Sequence, residues 1–365
     1  RKAIKINPNV SVYHSNLGIV LKAIGKENDA KFMRLALKEA EKGIGLTSPN
    51  PTVGCVIVKK GKIVGRGYHR KAGGPHAEIE AIRSAKGKPL KGATIYITLE
   101  PCSTYGKTPP CVEAIIKSEM ARVVYGVKDP DFRHQDKAKR LLKKQGIKVT
   151  TEILSEDCQR LIRPFAKRVQ TGLPWVIVKA GMSLDGRLTR PGKEGQWITN
   201  DQSLKDVQRL RAEVDAIIVG AGTLKKDDPS LTIRETKLLK KRKKQPKRVV
   251  LTRKSKLSKA SKIFTDQFKD NTLIYSNKSL KAVLKDLAKR HQCNSVMIEG
   301  GGRLIGDAFK RELVDELCLY YAPIICGENC KPLADAALNA SKSLSDISLK
   351  AFGDNYRIRG LVAKE

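Results

Sequence analysis

The stretch His76-Ala77-Glu78, followed by Glu100-Pro101-Cys102 and then by Pro109-Pro110-Cys111, decides the reading of the first half of the chain. One imidazole and two thiols form a donor set for zinc that leaves a fourth position open. Such a site is catalytic rather than structural, because water can take the open position and be activated. Glu78 stands two residues after the histidine, where a carboxylate can move protons. A lone His-x-Glu is common, and two cysteines separated by eight residues also suit an ordinary core. The order of elements argues for the metal. His-Ala-Glu opens a helix, a strand runs into Pro-Cys, and Pro-Pro-Cys opens the next helix. Helix starts carry unpaired N–H groups and positive partial charge, which favour thiolates.

The chain around this stretch has 365 residues, enough for two or three domains with cores of their own. Its hydrophobic content of 40% suits a globular protein, and no apolar run reaches the length of a membrane-spanning helix. The first residues show no secretory signal pattern. Eight cysteines are too sparse for a disulfide framework; Cys55, Cys293, Cys318 and Cys326 sit in apolar stretches and read as buried thiols, which points to a reducing cytoplasm. A formal charge of +35 raises the question of nucleic acid. The lysines are spread over the whole chain, and their densest run, 237–262, lacks the interleaved aromatics of a stacking platform. Nucleic acid is therefore not the expected partner, whereas an anionic small molecule benefits from the same field.

Four segments follow from the pattern. Residues 1–29 resemble part of a tetratricopeptide repeat in Ala3-Ile4-Lys5-Ile6-Asn7-Pro8, Tyr13, Asn16-Leu17-Gly18 and Gly25, and one partial repeat cannot bury its own apolar face. Residues 30–150 alternate helices (30–43, 76–85, 111–118, 136–145) with strands (53–58, 63–67, 94–99, 122–126, 148–151), an α/β layer around one sheet. Residues 151–174 form a linker with a basic amphipathic helix. Residues 175–365 hold a second α/β domain, with strands over 175–180, 216–220, 248–252, 272–275, 295–299, 316–321 and 357–362. Its helices cover 202–212, 279–291 and 303–310. Asn200-Asp201 suits the cap of the first of these helices.

The motifs Ser48-Pro49-Asn50-Pro51-Thr52-Val53-Gly54, Tyr68-His69, Gly74-Pro75-His76-Ala77-Glu78, and Thr98-Leu99-Glu100-Pro101-Cys102 through Gly106-Lys107-Thr108-Pro109-Pro110-Cys111 resemble the pyrimidine deaminase of riboflavin biosynthesis. The general zinc-deaminase signature spaces its cysteines as P-C-x-x-C. The longer loop here resembles that of the riboflavin family. Over residues 31–365 the chain resembles the bifunctional riboflavin-biosynthesis family, a deaminase joined to a reductase. The resemblance implies a cytidine-deaminase-like α/β/α zinc domain followed by a dihydrofolate-reductase-like α/β domain. It implies zinc on His76, Cys102 and Cys111, with Glu78 as the proton carrier. It places Asn50 and His69 at the pyrimidine and its ribosyl phosphate; read alone, Asn50 is a turn residue before proline and His69 a solvated loop histidine. Cys55 and Glu100 read as structural.

In the second half the resemblance rests on Lys179 with Ser183-Leu184-Asp185-Gly186, Gln196-Trp197-Ile198-Thr199, Gly220 to Thr223, Asp227-Asp228-Pro229, Leu231-Thr232 with Arg234, and Glu299-Gly300-Gly301. Glycines between a strand and a helix let backbone N–H groups approach a pyrophosphate, although the run here is not G-x-G-x-x-G and a tight turn reads equally well. The resemblance implies NADPH at Gly181, Trp197, Thr223, Asp227, Gly301, Gly302, Arg303, Leu304, Ile305, Gly306 and Asp307. It implies the sugar-phosphate substrate at Lys179, Gly195, Arg211, Leu231, Arg234 and Glu299. Gly195 stands where many relatives carry serine, so a contact there must be backbone. Arg253 and Lys254 follow a strand where relatives carry small polar residues, and they suit the 2′-phosphate of NADPH.

The implied function is zinc-dependent hydrolytic deamination of 2,5-diamino-6-(5-phosphoribosylamino)pyrimidin-4(3H)-one, then NADPH-dependent reduction of the ribosyl to a ribityl chain. The expected setting is a cytoplasmic homo-oligomer acting on a small pyrimidine ribotide, with no membrane partner. The competing readings are a nucleic-acid or nucleoside deaminase with an accessory domain, suggested by charge, and a helical-repeat adaptor, suggested by residues 1–29.

Overall fold

The central strands of both sheets are short apolar runs that bury two faces at once. A computed structural model of the chain describes residues 10–363 apart from 106–108, 193, 196, 243 and 254–256. Residues 1–9 of the repeat-like segment, Gly106-Lys107-Thr108, Gln196 and Lys254 lie outside the described residues. The chain folds as two compact units, Arg1–Ala166 and Lys167–Glu365.

The first unit centres on five strands: β1 (Gly54–Lys59), β2 (Lys62–Tyr68), β3 (Thr94–Leu99), β4 (Arg122–Val127) and β5 (Lys148–Thr151), in the order β2-β1-β3-β4-β5. β1 is antiparallel to β2 and β3, and β3, β4 and β5 run parallel. Side chains alternate between the faces. Cys55, Ile57, Ile95, Ile97, Val123 and Tyr125 pack with Ala77 and Ala81 of α2 (Ala77–Ser84), Val112 and Ile115 of α3 (Cys111–Lys117), and Ala138 and Leu142 of α4 (Lys137–Lys144). Val56, Val58, Tyr96 and Val124 face the other way, against Phe32, Met33 and Ala36 of α1 (Val10–Glu41) and Cys158 of α5 (Ser155–Thr171). Burial on both faces explains why these strands read as continuous apolar runs. α1 packs close because β1 opens with glycine: a Cβ on Gly54 would stand 2.0 Å from the Ala36 carbonyl oxygen. Asp29, 4% exposed, fixes the same helix. It accepts from Tyr96 Oη at 2.9 Å and from two Arg122 nitrogens at 2.9 and 2.6 Å.

The helix expected over 30–43 begins instead at Val10 and runs unbroken to Glu41. Nothing between these residues stops it. There is no proline, and glycines such as Gly18 and Gly25 each cost about 1 kcal/mol, too little to end a helix held by packing.

The second unit carries eight strands: β6 (Trp175–Ser183), β7 (Ala216–Gly220), β8 (Lys247–Thr252), β9 (Thr272–Ser276), β10 (Ser295–Glu299), β11 (Glu316–Ala322), β12 (Leu344–Phe352) and β13 (Asn355–Val362). Their order is β12-β13-β11-β6-β10-β7-β8-β9. The six strands from β11 to β9 are parallel, and the β12–β13 hairpin adds to β11 antiparallel. Helices α6 (Asp201–Glu213), α7 (Ala221–Asp227), α8 (Thr236–Arg242), α9 (Lys262–Thr265), α10 (Leu280–Lys289) and α11 (Gly302–Lys310) connect them. Asn200 caps α6 as expected, its side chain accepting the Ser203 N–H at 3.0 Å. After β7 the chain moves toward β9; after β10 it moves to β11 on the far side of β6. The crevice beyond the carboxyl ends of β10 and β7 is thus the switch point at which such sheets take ligands.

Part of the basic run 237–262 is interior. Arg242 is 5% exposed and donates to the Arg211 and Ala212 carbonyls at the end of α6. Arg248 is fully buried and grips Asp266 through two nitrogens at 2.7 and 2.9 Å. Cys326, expected inside, is only half-buried.

Candidate active site

Two helix starts and one strand end bring the first cluster together. His76 precedes α2, Cys102 lies three residues past β3, and Cys111 opens α3. His76 Nδ1 is 3.4 Å from Cys102 Sγ and 3.3 Å from Cys111 Sγ. The three ligand atoms lie within 4.8 Å of one another, the one such group of three among the described residues. The Cys111 backbone N–H donates to Cys102 Sγ at 3.2 Å, so α3 directs its positive end at that sulfur. The hydrogen bond from Cys111 holds Cys102 down at about 4, and the same bond, with burial, drives Cys111 up. A cation between the sulfurs relieves this asymmetry. One nitrogen and two sulfurs make a donor set suited to zinc.

Glu78, the second residue of α2, is 3% exposed. Burial above all, with the Cys102 sulfur adding to it, pushes its carboxyl up to about 7 against the pull of His76. His69 is 2% exposed, its ring edge-on to His76 with centroids 5.4 Å apart. Its Nδ1 lies 2.9 Å from the Pro75 carbonyl, which can only accept, so Nδ1 carries the proton. Nε2 then accepts from Asn50 Nδ2 at 3.0 Å. Burial foremost lowers the His69 pKa. The loop histidine is therefore buried rather than solvated, and Asn50, His69, His76, Glu78, Cys102 and Cys111 form one connected group.

In the second unit, Lys179 on β6 stands in register with Glu299 at the end of β10. Lys179 Nζ is 3.7 Å from Glu299 Oε2. Arg211 of α6 grips the same carboxylate, Nε to Oε1 at 2.7 Å and Nη2 to Oε2 at 2.8 Å, and its Nη1 donates to the Thr232 carbonyl at 2.9 Å. Burial raises the Glu299 pKa, but Arg211 and Lys179 outweigh it and hold it at about 2. The glycine turn after β10 is required by the backbone: Gly300 and Gly301 have φ of 97° and 85°. A Cβ on Gly301 would come within 3.3 Å of Thr223 Oγ1 on α7, so the turns after β7 and β10 meet at the switch point.

The remaining expected positions differ in what they offer. Trp197 is 58% exposed, and Arg234 is exposed. Gly195 has φ of 92° with open space around its Cα, and Gly181 lies on β6 against Thr199. Asp227 ends α7. Leu231 and Ile305 turn their side chains into the core, leaving only backbone for a ligand. Leu304 packs partly against that core, and Gly306 is pressed against Ala336. Arg303 pairs with Asp335 at 3.5 Å and Asp307 with Arg311 at 2.8 Å. Gly301, just before α11, is the part of this run that stands against Thr223, whereas Gly302 is buried and would place a Cβ 2.6 Å from the Pro332 carbonyl oxygen. Glu100 is the polar group beside the first cluster that pattern reading left aside. Its signal is a charged residue ending an apolar strand, a place where a carboxylate is buried only with partners.

An α/β/α unit with an N/S/S cluster and a buried glutamate, followed by a doubly wound unit with glycine turns at its switch point, defines a zinc-binding deaminase domain fused to a reductase domain. Residues 26–127 match the cytidine and deoxycytidylate deaminase zinc-binding region, and residues 174–358 match the RibD C-terminal domain. Riboflavin biosynthesis protein RibD of Buchnera aphidicola subsp. Baizongia pistaciae is 40% identical over 348 residues, 87% of this chain and 93% of that protein. The structure of Acinetobacter baumannii RibD superposes with a TM-score of 0.84 at 34% identity, covering 93% of this chain and 100% of that one. A Thermotoga maritima structure described as a diaminohydroxyphosphoribosylaminopyrimidine deaminase/5-amino-6-(5-phosphoribosylamino)uracil reductase gives 0.83 at 30% identity with the same coverage. The chain belongs to the RibD family of riboflavin biosynthesis proteins. Among the described residues no helix is long and apolar enough to cross a membrane.

Proposed function

We propose that this chain carries both reactions in one polypeptide. The first unit deaminates 2,5-diamino-6-(5-phosphoribosylamino)pyrimidin-4(3H)-one, and the second reduces the ribosyl of the product to ribityl with NADPH. The observation that carries the reading is the His76–Cys102–Cys111 cluster with Glu78 buried beside it, in a chain that spans 93% of its Buchnera relative. His76, Cys102 and Cys111 would hold a zinc ion, which would supply the Lewis acidity needed to activate water near neutral pH. Glu78, buried beside the cluster, takes a proton from the attacking water and delivers protons to the ring nitrogen and the departing ammonia. Water supplies the oxygen, and ammonia leaves with the nitrogen. His69, locked as the Nδ1–H tautomer, orients Asn50 toward the pyrimidine ribotide.

In the second unit NADPH supplies the hydride when bound. The turn at Gly301 and Gly302, with Thr223, receives the pyrophosphate, and Trp197, Gly181 and Asp227 line the cofactor's path. Lys179 and Arg234 meet the sugar phosphate, while Arg211 holds Glu299 charged and oriented. Arg253 follows β8, next to β7 in the sheet, and is exposed with no ion pair among the described residues. That cation at the carboxyl edge favours the 2′-phosphate and hence NADPH over NADH. We place the protein in a reducing cytoplasm, a setting that its eight free cysteines support. The buried Arg242 and Arg248 weaken the nucleic-acid reading of the basic run.

The test is mass analysis of the purified chain incubated with the diaminopyrimidine ribotide, with and without NADPH. The expected products are an amine-to-oxygen exchange without NADPH, and that exchange plus two hydrogens with it. Chelation is expected to abolish ammonia release and to spare NADPH oxidation on the deaminated intermediate. Loss of both activities together would count against separable sites.

A further inference from the structure

Two of the free cysteines, Cys326 and Cys330, share one short turn in the loop that follows β11. Cys326 is half-buried and Cys330 is buried. Between them Gly327-Glu328-Asn329 is exposed, and Gly327, at a φ of 78°, bends the chain back on itself. The turn closes with the Cys330 N–H on the Gly327 carbonyl at 3.3 Å. The Cys330 thiol donates to the carbonyl oxygen of Cys326 at 3.4 Å. The inner sulfur is thus folded onto the residue that carries the outer one, and the outer one stands beside exposed chain. An accessible thiol with a second thiol poised to resolve it is the arrangement of a reversible redox site.

The same loop is a strap across the second unit. At its start the Asp185 carboxylate accepts the N–H groups of Cys326 at 3.0 Å and of Gly327 at 2.8 Å. Just past Cys330, the Leu188 N–H donates to the Lys331 carbonyl at 2.7 Å and the Leu333 N–H to the Gly186 carbonyl at 3.2 Å. The strap then meets the start of α11, where the Asp335 N–H donates to the Gly302 carbonyl at 3.0 Å and the Pro332 carbonyl leaves no room for a side chain on Gly302. Pro332 is two residues past Cys330. A shift of the thiol turn therefore reaches the glycine turn proposed above to receive the pyrophosphate.

We propose that Cys326 and Cys330 are a reversible thiol-modification site that takes a small disulfide as its oxidant, and that closing it weakens NADPH binding through the strap. The second half of this rests on the reductase reading above. Cys326, as the thiolate, attacks one sulfur of the small disulfide; a mixed disulfide forms and one small thiol leaves. Cys330 gives up its proton and attacks the Cys326 sulfur, and the second small thiol leaves. The protein loses two protons and two electrons, and the small disulfide is reduced to two thiols. The new bond replaces the Cys330 thiol's contact with the Cys326 carbonyl and draws residue 330 toward 326, because a disulfide holds its two Cβ atoms at a narrow range of separation.

The experiment incubates the zinc-loaded full chain with excess glutathione disulfide, traps the remaining thiols and locates the products by peptide mass analysis. NADPH affinity is read by cofactor fluorescence on the same samples. The native chain is expected to become two hydrogens lighter, with Cys326 joined to Cys330, and to return to its starting mass with dithiothreitol. Cys330→Ser is expected to stop at one glutathione on Cys326, whereas Cys326→Ser is expected to take none at the buried Cys330. The paired chain should bind NADPH severalfold more weakly than the reduced chain, and Cys326→Ser should bind it alike before and after treatment. A disulfide formed elsewhere, or Cys326 and Cys330 both left as thiols, overturns the site. An unchanged NADPH affinity in the fully paired chain overturns its link to the cofactor turn. Absence of NADPH binding by the reduced chain sinks the reductase reading and that link with it, while the mapping still decides the site. If either variant fails to fold, the mapping and affinity of the native chain decide the matter.

Discussion

The two units solve the problem of holding reactive groups in opposite ways. In the first, the chemistry resides in side chains that are buried and fixed by short contacts: Glu78 at 3% exposure, His69 at 2%, and a nitrogen with two sulfurs within 4.8 Å. In the second, one charged trio, the buried Glu299 and Arg211 with the half-buried Lys179, stands beside turns whose contribution is backbone shape at Gly300 and Gly301. A site made of side chains should fail all at once when one is changed. A site made largely of backbone and borrowed cofactor chemistry should fail by degrees.

The sharpest break in this comparison is Glu78→Gln. The amide keeps the shape but cannot accept the water proton, so ammonia release should fall about a thousandfold or more, while NADPH oxidation on the deaminated intermediate is unchanged. Parallel ammonia and NADPH absorbance assays on one preparation read both values. Next in size is Glu299→Gln, which leaves the buried Arg211 without its counter-charge and should destabilise the second unit by about 3 kcal/mol. Both tryptophans, Trp175 and Trp197, belong to that unit, so denaturant titration followed by tryptophan fluorescence reports it selectively. The same probe carries the pH expectation. The folded pKa of Glu299, about 2, lies below its ordinary 4.5, so its stabilisation is present above 4.5 and lost as pH falls from there toward 2. Glu299→Gln should abolish that part of the acid dependence. The smallest effect is that of Arg253→Ala, expected to shift the ratio of kcat/KM for NADPH over NADH toward NADH by about tenfold, one exposed phosphate contact's worth. An unchanged ratio would remove Arg253 from the cofactor site.

The same contrast governs what could be read from the sequence. Strands buried on both faces announce themselves as apolar runs, so β3, β7 and β10 fall on the expected residues. The first cluster was legible because His76, Cys102 and Cys111 each sit at an element boundary marked by proline or by a helix start. β12 was not anticipated: it is exposed over most of its length, so neither a run nor an alternation marks it. The start of α1 was placed too late because a repeat-like segment suggested a break where the helix continues. Leu231 and Ile305 show a different limit. A motif fixes where a residue stands along the chain but not which way its side chain turns, and both turn inward. The buried Arg242 and Arg248 belong to a basic run that was read as surface, whereas each is interior with hydrogen bonds to the backbone.

The grip of Asp29 on Arg122 and Tyr96 bears on how the first unit can be trimmed. The repeat-like pattern ends at residue 29, which invites a cut between 29 and 30 when the deaminase unit is produced alone. That cut discards the carboxylate receiving three hydrogen bonds from β3 and β4 and leaves a guanidinium beside the sheet edge without its counter-charge. A shortened version should begin ahead of Asp29, at a cost of only a few extra residues.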